Sequence, residues 1–215
     1  MQRFERTLEK LAPYARYEWW DPTLIGDPLP PRRRVLSPIQ EQQAAEQVTQ
    51  WLTIHVIEPI PTPPLLNNLV LVGKKDGRIR VCVDCTPANT VTSGFDWPLP
   101  RLQDLRYRVQ GYSWYSRLDL KDAFFRIGVA IDFRHLTAFM VRGQAYQFRR
   151  MPFGLKTAPA VFQRFMDWGL SSFSEWAFWY IDDILISAET LPQLKARERL
   201  VRSKLQQMKC VINED

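Results

Sequence analysis

The sequence predicts an α+β fold, and three observations carry that expectation. Two apolar runs in "NLVLVGKKDGRIRVCVD" (68–84) flank an Asp-Gly dipeptide, a strong short-range hairpin signal. Two further strand pairs are expected, one around Gly143 in "TAFMVRGQAYQF" and one across "FWYIDDILIS" (178–187). Between these lie segments whose apolar residues recur at helical spacing, so antiparallel strands backed by helices are the natural packing.

Composition sets the outer bounds. With 215 residues, 46% of them hydrophobic, the chain can bury a sizeable core in one large or two-lobed domain. Twenty-nine Lys and Arg against 23 acids give net +6, spread along the chain, which points weakly to a polyanionic partner and equally fits an ordinary basic surface. The odd count of three cysteines and the lack of a signal-like start predict a reducing compartment. Cys82 and Cys85 form a C-x-x-C, but Cys210, His55 and His135 fall at no zinc spacing, so these residues are read as buried strand thiols. No apolar run reaches membrane-span length, and no membrane partner is expected.

In chain order, a Trp- and Tyr-rich start leads into "DPLPPRRRVLSP" (27–38), read as a linker or extended arm. Ser37, Pro38 and Gln40 then carry a helix opening: Ser as N-cap, Pro at the first position and Gln closing a capping box. Ala44, Ala45, Val48, Trp51 and Leu52 give that helix one apolar face. The hairpin follows, with four cations between Lys74 and Arg80, as well suited to holding phosphates as to being a plain basic tip. Helical spacing at Leu102, Leu105 and Val109 precedes a strand over "WYSRLDLKDAFF" (114–125). After the pair around Gly143, Gly154 and Pro159 introduce a helix whose Val161, Phe162, Phe165 and Trp168 would face a core. A last helix is expected over Leu194, Val201, Leu205 and Met208, and "KCVINED" (209–215) reads as the start of another strand.

Three acids break this pattern. Asp119 ends one apolar strand, while Asp182 and Asp183 interrupt another, all where burial is expected. Unit charges about 4 Å apart repel by about 4 kcal/mol at an effective dielectric of 20, so three converging carboxylates need a counter-charge. Carboxylate oxygens that leave room for water and phosphate suit Mg²⁺. The bland alternative is a tight Asp-Asp turn, which would want Gly or Asn at positive φ, and Ile181–Ile184 offers neither. Strand alternation lets only one of the adjacent acids face Asp119 unless the turn rotates the other inward, which makes Asp182 the expected principal ligand and Asp183 its support.

"YIDD" (180–183), "LDLKDAFF" (118–125), "MPFGLKTAPAVFQRFM" (151–166) and "VGKKDGRIRVCVD" (72–84) together resemble the reverse transcriptases of LTR retroelements. The wording is closest to Gypsy-class retrotransposon Pol and is also similar to gammaretroviral enzymes; "RRVLSP", "WPLPRLQDL" (97–105) and "TAF" (137–139) match the class too. The resemblance covers roughly residues 32–215 and implies a right-hand palm, an antiparallel sheet backed by helices, with a fingers subdomain. It implies an N-terminal extension at 1–31, fingers at 32–93 and 127–157, and palm at 94–126 and 158–215. The primer grip, thumb, connection and ribonuclease H would lie outside the chain.

Carried over by residue, the resemblance makes Asp119, Asp182 and Asp183 the catalytic ligands of two Mg²⁺ ions, replaceable by Mn²⁺. It places Lys74, Arg80, Asp122, Ala123, Phe124 and Phe153 at the incoming dNTP. Phe124 would be the steric gate against a 2′-hydroxyl, although from burial alone it reads as a core aromatic. Phe153 stands where retroviruses commonly carry Gln and is read as a pocket wall; Gly154 and Tyr180 would lie near template and primer. The sequence departs from the class at "DCTPAN" (84–89), where Cys85 and Thr86 replace an aromatic and an Arg.

The implied activity is RNA-directed DNA polymerisation on a primer–template, inside a cell, in cytoplasm, virus-like particle or nucleus. Two alternatives stand beside it. One is a catalytically idle remnant kept for nucleic-acid binding or assembly; the other is an RNA-templated RNA polymerase, against which a bulky Phe124 argues.

Overall fold

A computed structural model describes residues 20, 22–27, 34–73 and 79–213. In chain order it contains α1 (Pro38–Thr53), β1 (Ile57–Pro59), β2 (Asn68–Gly73), β3 (Ile79–Asp84), α2 (Thr86–Val91), α3 (Leu102–Val109) and β4 (Trp114–Lys121). Then come β5 (Phe139–Val141), β6 (Gln144–Phe148), α4 (Ala158–Leu170), β7 (Ala177–Tyr180), β8 (Asp183–Ala188), α5 (Leu191–Gln207) and β9 (Val211–Ile212). The chain divides into two compact units, the first comprising Met1–Gly94 and Ile127–Ala158, the second Phe95–Arg126 and Pro159–Asp215.

In the first unit, α1 opens on the expected capping box: the Gln40 N–H donates to Ser37 Oγ, and the Ser37 N–H donates back to Gln40 Oε1. Its buried stripe is Ala44, Val48 and Trp51, while Ala45 and Leu52 are half-exposed. The Trp51 ring meets Phe139 and Phe148 edge-on, at centroid distances of 6.1 and 5.3 Å. Those phenylalanines belong to a three-stranded antiparallel sheet in the order β1-β6-β5. Arg142 and Gly143 close β5 onto β6 with φ values of 48° and 76°, the left-handed pair of a two-residue hairpin.

The β2–β3 hairpin is in register from Asn68↔Asp84 to Gly73↔Ile79, and its expected tip, Lys74 to Arg78, lies outside the described residues. Cys82 is half-buried in β3, but Cys85 falls just past the strand, at the start of α2, rather than within it. Trp20 and residues 22–27, in the stretch read as an N-terminal extension, contact this unit: Trp20 is 1% exposed and its Nε1–H donates to Thr157 Oγ1 at 3.0 Å. Ile25 N–H also donates to Val91 O.

The second unit is built on a four-stranded sheet in the order β7-β8-β4-β9. All its pairings are antiparallel. α5 packs on β8 and β4, burying Leu194, Val201 and Leu205, with Met208 buried just past its end. α4 buries Val161, Phe162, Phe165, Met166 and Leu170. Trp168, expected to face the core, is instead 50% exposed, since it stands off the stripe those residues define. Strand β4 stops at Lys121, earlier than expected, because Asp122 takes φ 48° and Ala123–Arg126 wind into a 3-10 turn.

Candidate active site

Strands β4 and β8 run antiparallel from Trp114↔Ala188 to Asp119↔Asp183. Their alternation sorts side chains by face: Leu118, Leu120, Ile184 and Ile186 are buried, whereas Arg117, Asp119, Asp183 and Leu185 keep contact with solvent. The acids therefore interrupt a core strand without entering the core. They sit half-buried on its open face, less enclosed than the apolar context implies.

The last β7–β8 pair is Tyr180↔Asp183, so Ile181 and Asp182 form a two-residue loop. The tight turn that the residue types disfavour is thus present, and it is strained. Ile181 takes φ 57°, where a hairpin of this kind prefers Gly and a β-branched side chain costs about 1–3 kcal/mol. Asp183, rather than Asp182, is the cross-strand neighbour of Asp119. Asp182 is tied in through its backbone, its carbonyl accepting the Leu120 N–H at 3.1 Å.

Each strand acid has a partner. Arg117 Nη2 and Nε donate to Asp183 Oδ1 at 2.6 and 3.0 Å. Asn213, just past β9, donates its backbone N–H to Asp119 O at 2.8 Å and its Nδ2 to Asp119 Oδ2 at 2.6 Å. The Asp182 carboxyl is pushed above the usual carboxylate range, first by burial, then by the charges of Asp119 and Asp183, with its own backbone N–H and Arg117 opposing. Among the described residues, no three His, Cys, Asp or Glu side chains are gathered into a ready-made metal cage. The backbone brings the three aspartates to one strand end, where Arg117 holds the Asp183 carboxylate and Asn213 that of Asp119.

Arg117 and Asn213 were not singled out in the sequence. Arg117 could have been, since two residues before Asp119 in a strand means the same face. Asn213 gave no signal, because its contact with Asp119 spans 94 positions.

The other expected site residues divide between the units. In the second, Tyr180 is half-buried, Asp122 exposed and Ala123 buried, and the half-buried Phe124 ring meets Phe162 edge-on at 5.6 Å. In the first, Arg80 is exposed on β3, and Phe153 is exposed on the turn before α4. Gly154 has φ 98°, and a Cβ there would come within 2.9 Å of Val83 O, so both conformation and space demand glycine. Asn89 braces that turn, donating to Gly154 O and accepting from Lys156 N–H, both at 2.8 Å. Lys74 lies outside the described residues.

Comparison with known proteins decides the family. The profile described as reverse transcriptase (RNA-dependent DNA polymerase) matches residues 72–215. The chain belongs to the reverse transcriptase family. It is 30% identical over 201 residues to the enzymatic polyprotein of cauliflower mosaic virus, covering 86% of this chain and 29% of that protein. It is 31% identical over 190 residues to the transposon Tf2-3 polyprotein of Schizosaccharomyces pombe, covering 86% of this chain and 14% of that one. The expected kinship with retroelements is therefore shown. The chain spans less than a third of either polyprotein.

Among solved structures, a foamy viral protease-reverse transcriptase in complex with double-stranded DNA superposes with a TM-score of 0.80 at 21% identity, covering 89% of this chain and 33% of that one. The prototype foamy virus protease-reverse transcriptase also gives 0.80 at 20% identity, over 99% of this chain and 30% of that one. The α+β class, with the palm and fingers fold of a reverse transcriptase, is established. Reverse transcriptases generally use divalent metals.

Proposed function

We propose that this chain is the fingers and palm core of an RNA-directed DNA polymerase, joining a dNTP to a primer 3′-hydroxyl on an RNA or DNA template. The single observation that supports it most is the apposition of Asp119 and Asp183 in strand register, with Asp182 in the strained turn beside them.

The residues fit a divalent cation by donor chemistry. They offer carboxylate oxygens, two on the open face of the sheet and one in the adjoining turn, and mutual repulsion that a cation would relieve. Asp119, Asp182 and Asp183 would hold two Mg²⁺ or Mn²⁺ ions, with Arg117 and Asn213 yielding their hold on the carboxylates. Such ions supply an acidified primer hydroxyl and charge neutralisation at the triphosphate.

Everything else falls to the chain itself. Asp182, with its raised proton affinity, must be ionised to act. Phe124, backed by Phe162, is the surface against which a ribose 2′-hydroxyl would clash. Arg80 and Lys74 would take the triphosphate oxygens, with Asp122, Ala123 and Phe153 lining the nucleotide and Tyr180 and Gly154 serving primer and template. The net charge of +6 favours a polyanionic primer–template. The proposed natural setting is a polyprotein supplying thumb, connection and ribonuclease H, at work inside the cell. Among the described residues no helix is long and apolar enough to cross a membrane.

The test is dNTP incorporation on a primed RNA template with Mg²⁺, by the chain and by the chain joined to its natural downstream sequence. Incorporation that vanishes in Asp182→Ala supports the polymerase. A folded, extended protein that binds template yet never incorporates, or incorporation indifferent to Asp182→Ala, overturns it.

A further inference from the structure

Behind the strained turn runs a partly buried chain of polar groups that links it to helix α4. Gln163 is fully buried, and its Oε1 accepts the Ile181 N–H at 2.9 Å. Its Nε2 donates to Asp167 Oδ1, one helical turn on, at 2.8 Å. Asp167 in turn accepts the indole N–H of Trp179 on Oδ1 and that of Trp97 on Oδ2, each at 2.6 Å.

The direction of this chain is fixed at every link. Indole N–H groups can only donate, so both Asp167 oxygens act here as acceptors. Asp167 therefore forces the Gln163 amide to present its nitrogen to it and its oxygen to Ile181. Turned the other way, the amide would set N–H against N–H at the turn and oxygen against oxygen at Asp167, two unsatisfied contacts in a buried site.

Ile181 is where such bracing is needed. A β-branched residue at φ 57° relaxes unless its surroundings hold it, and relaxation would swing the next residue, Asp182. We infer that Gln163, oriented by Asp167 and the Trp97 and Trp179 indoles, is a positioning residue that holds Ile181 in its left-handed conformation and thereby sets the direction of the Asp182 carboxylate. This rests on the reading of Asp182 as an active-site ligand, but the conformational part can be tested without it.

The experiment uses the full chain with Gln163→Met, Ile181→Gly, the two combined, and Asp182→Ala. It reads thermal melting, hydrogen exchange at the residue-181 amide, and Mn²⁺ affinity by electron paramagnetic resonance. Gln163→Met is expected to melt cooperatively, to speed exchange at Ile181 about tenfold, and to weaken Mn²⁺ about tenfold, as loss of an outer-shell partner does. Because glycine adopts positive φ freely, Gln163→Met in the Ile181→Gly background should cost less than about twofold in Mn²⁺ affinity.

Equal losses in both backgrounds, or unchanged Ile181 exchange, overturn the inference and leave Gln163 as core packing. Should Gln163→Met not fold, Trp97→Phe removes one donor at the far end; faster Ile181 exchange supports the inference and unchanged exchange defeats it. Mn²⁺ binding indifferent to Asp182→Ala would sink the proposed function instead, with Ile181 exchange still deciding the role of Gln163.

Discussion

Arg117 reaches diagonally from β4 to place both Nε and Nη2 on one oxygen of Asp183. The pair is exposed, with side chains 70% and 48% accessible, so it adds little to stability. On the proposed reading its weight is electrostatic, because the guanidinium would oppose a divalent ion held at the same carboxylate. Arg117→Ala should leave thermal melting essentially unchanged and tighten Mn²⁺ binding on the order of tenfold, the scale of a unit charge about 6 Å from a divalent ion in a water-like medium. Calorimetric titration reads this directly; weaker binding in the variant would show that Arg117 supports the site rather than competing for it.

Asp182 gives a pH prediction of definite sign. Its folded proton affinity is raised by burial and by Asp119 and Asp183, so folding favours proton uptake there. The charged carboxylate is then a net cost at neutral pH, and that cost disappears as pH falls through the folded pKa. Asp182→Asn should melt about 1–3 °C higher than the parent at pH 7, a small gain because the group is only half-buried, and the difference should shrink at lower pH. Calorimetry without divalent ions checks it; a lower melting temperature at pH 7 would contradict the sign.

Phe124 owes its orientation partly to the edge of Phe162 at 5.6 Å. Phe124→Val trims the surface proposed to face the sugar, and on that reading the ratio of ribonucleotide to deoxynucleotide incorporation should rise on the order of tenfold to a hundredfold. Single-nucleotide extension assays measure the ratio. An unchanged preference would return Phe124 to the role of an ordinary core aromatic.

Gly154 allows a stability prediction independent of any chemistry. Gly154→Ala adds both a positive-φ penalty and a contact with Val83 O, and should cost about 1–3 kcal/mol by denaturant unfolding. A neutral result would mean that the turn relaxes despite the brace of Asn89.

Local signals proved legible wherever local chemistry decides the outcome. The Ser37–Gln40 capping box, the Arg142–Gly143 turn and the Leu194, Val201, Leu205 and Met208 stripe all stand as their residue types dictate. The bringing together of the 118–125 and 178–187 segments was legible from their motifs, but the facing acid was not, since register depends on where the turn falls. That turn was hard to foresee because Ile181 violates a local preference that a buried glutamine 18 positions earlier offsets. Trp168 shows the converse: helical spacing marks a stripe well but not where the stripe ends.

Asn213 grips Asp119 twice, by backbone and by side chain, at the close of a strand only two residues long. So short a strand gives that segment little anchorage of its own. A shift of residue 213 would therefore be felt at the Asp119 carboxylate, whose hydrogen bond ties it to a segment 94 positions later in the chain rather than to its own strand.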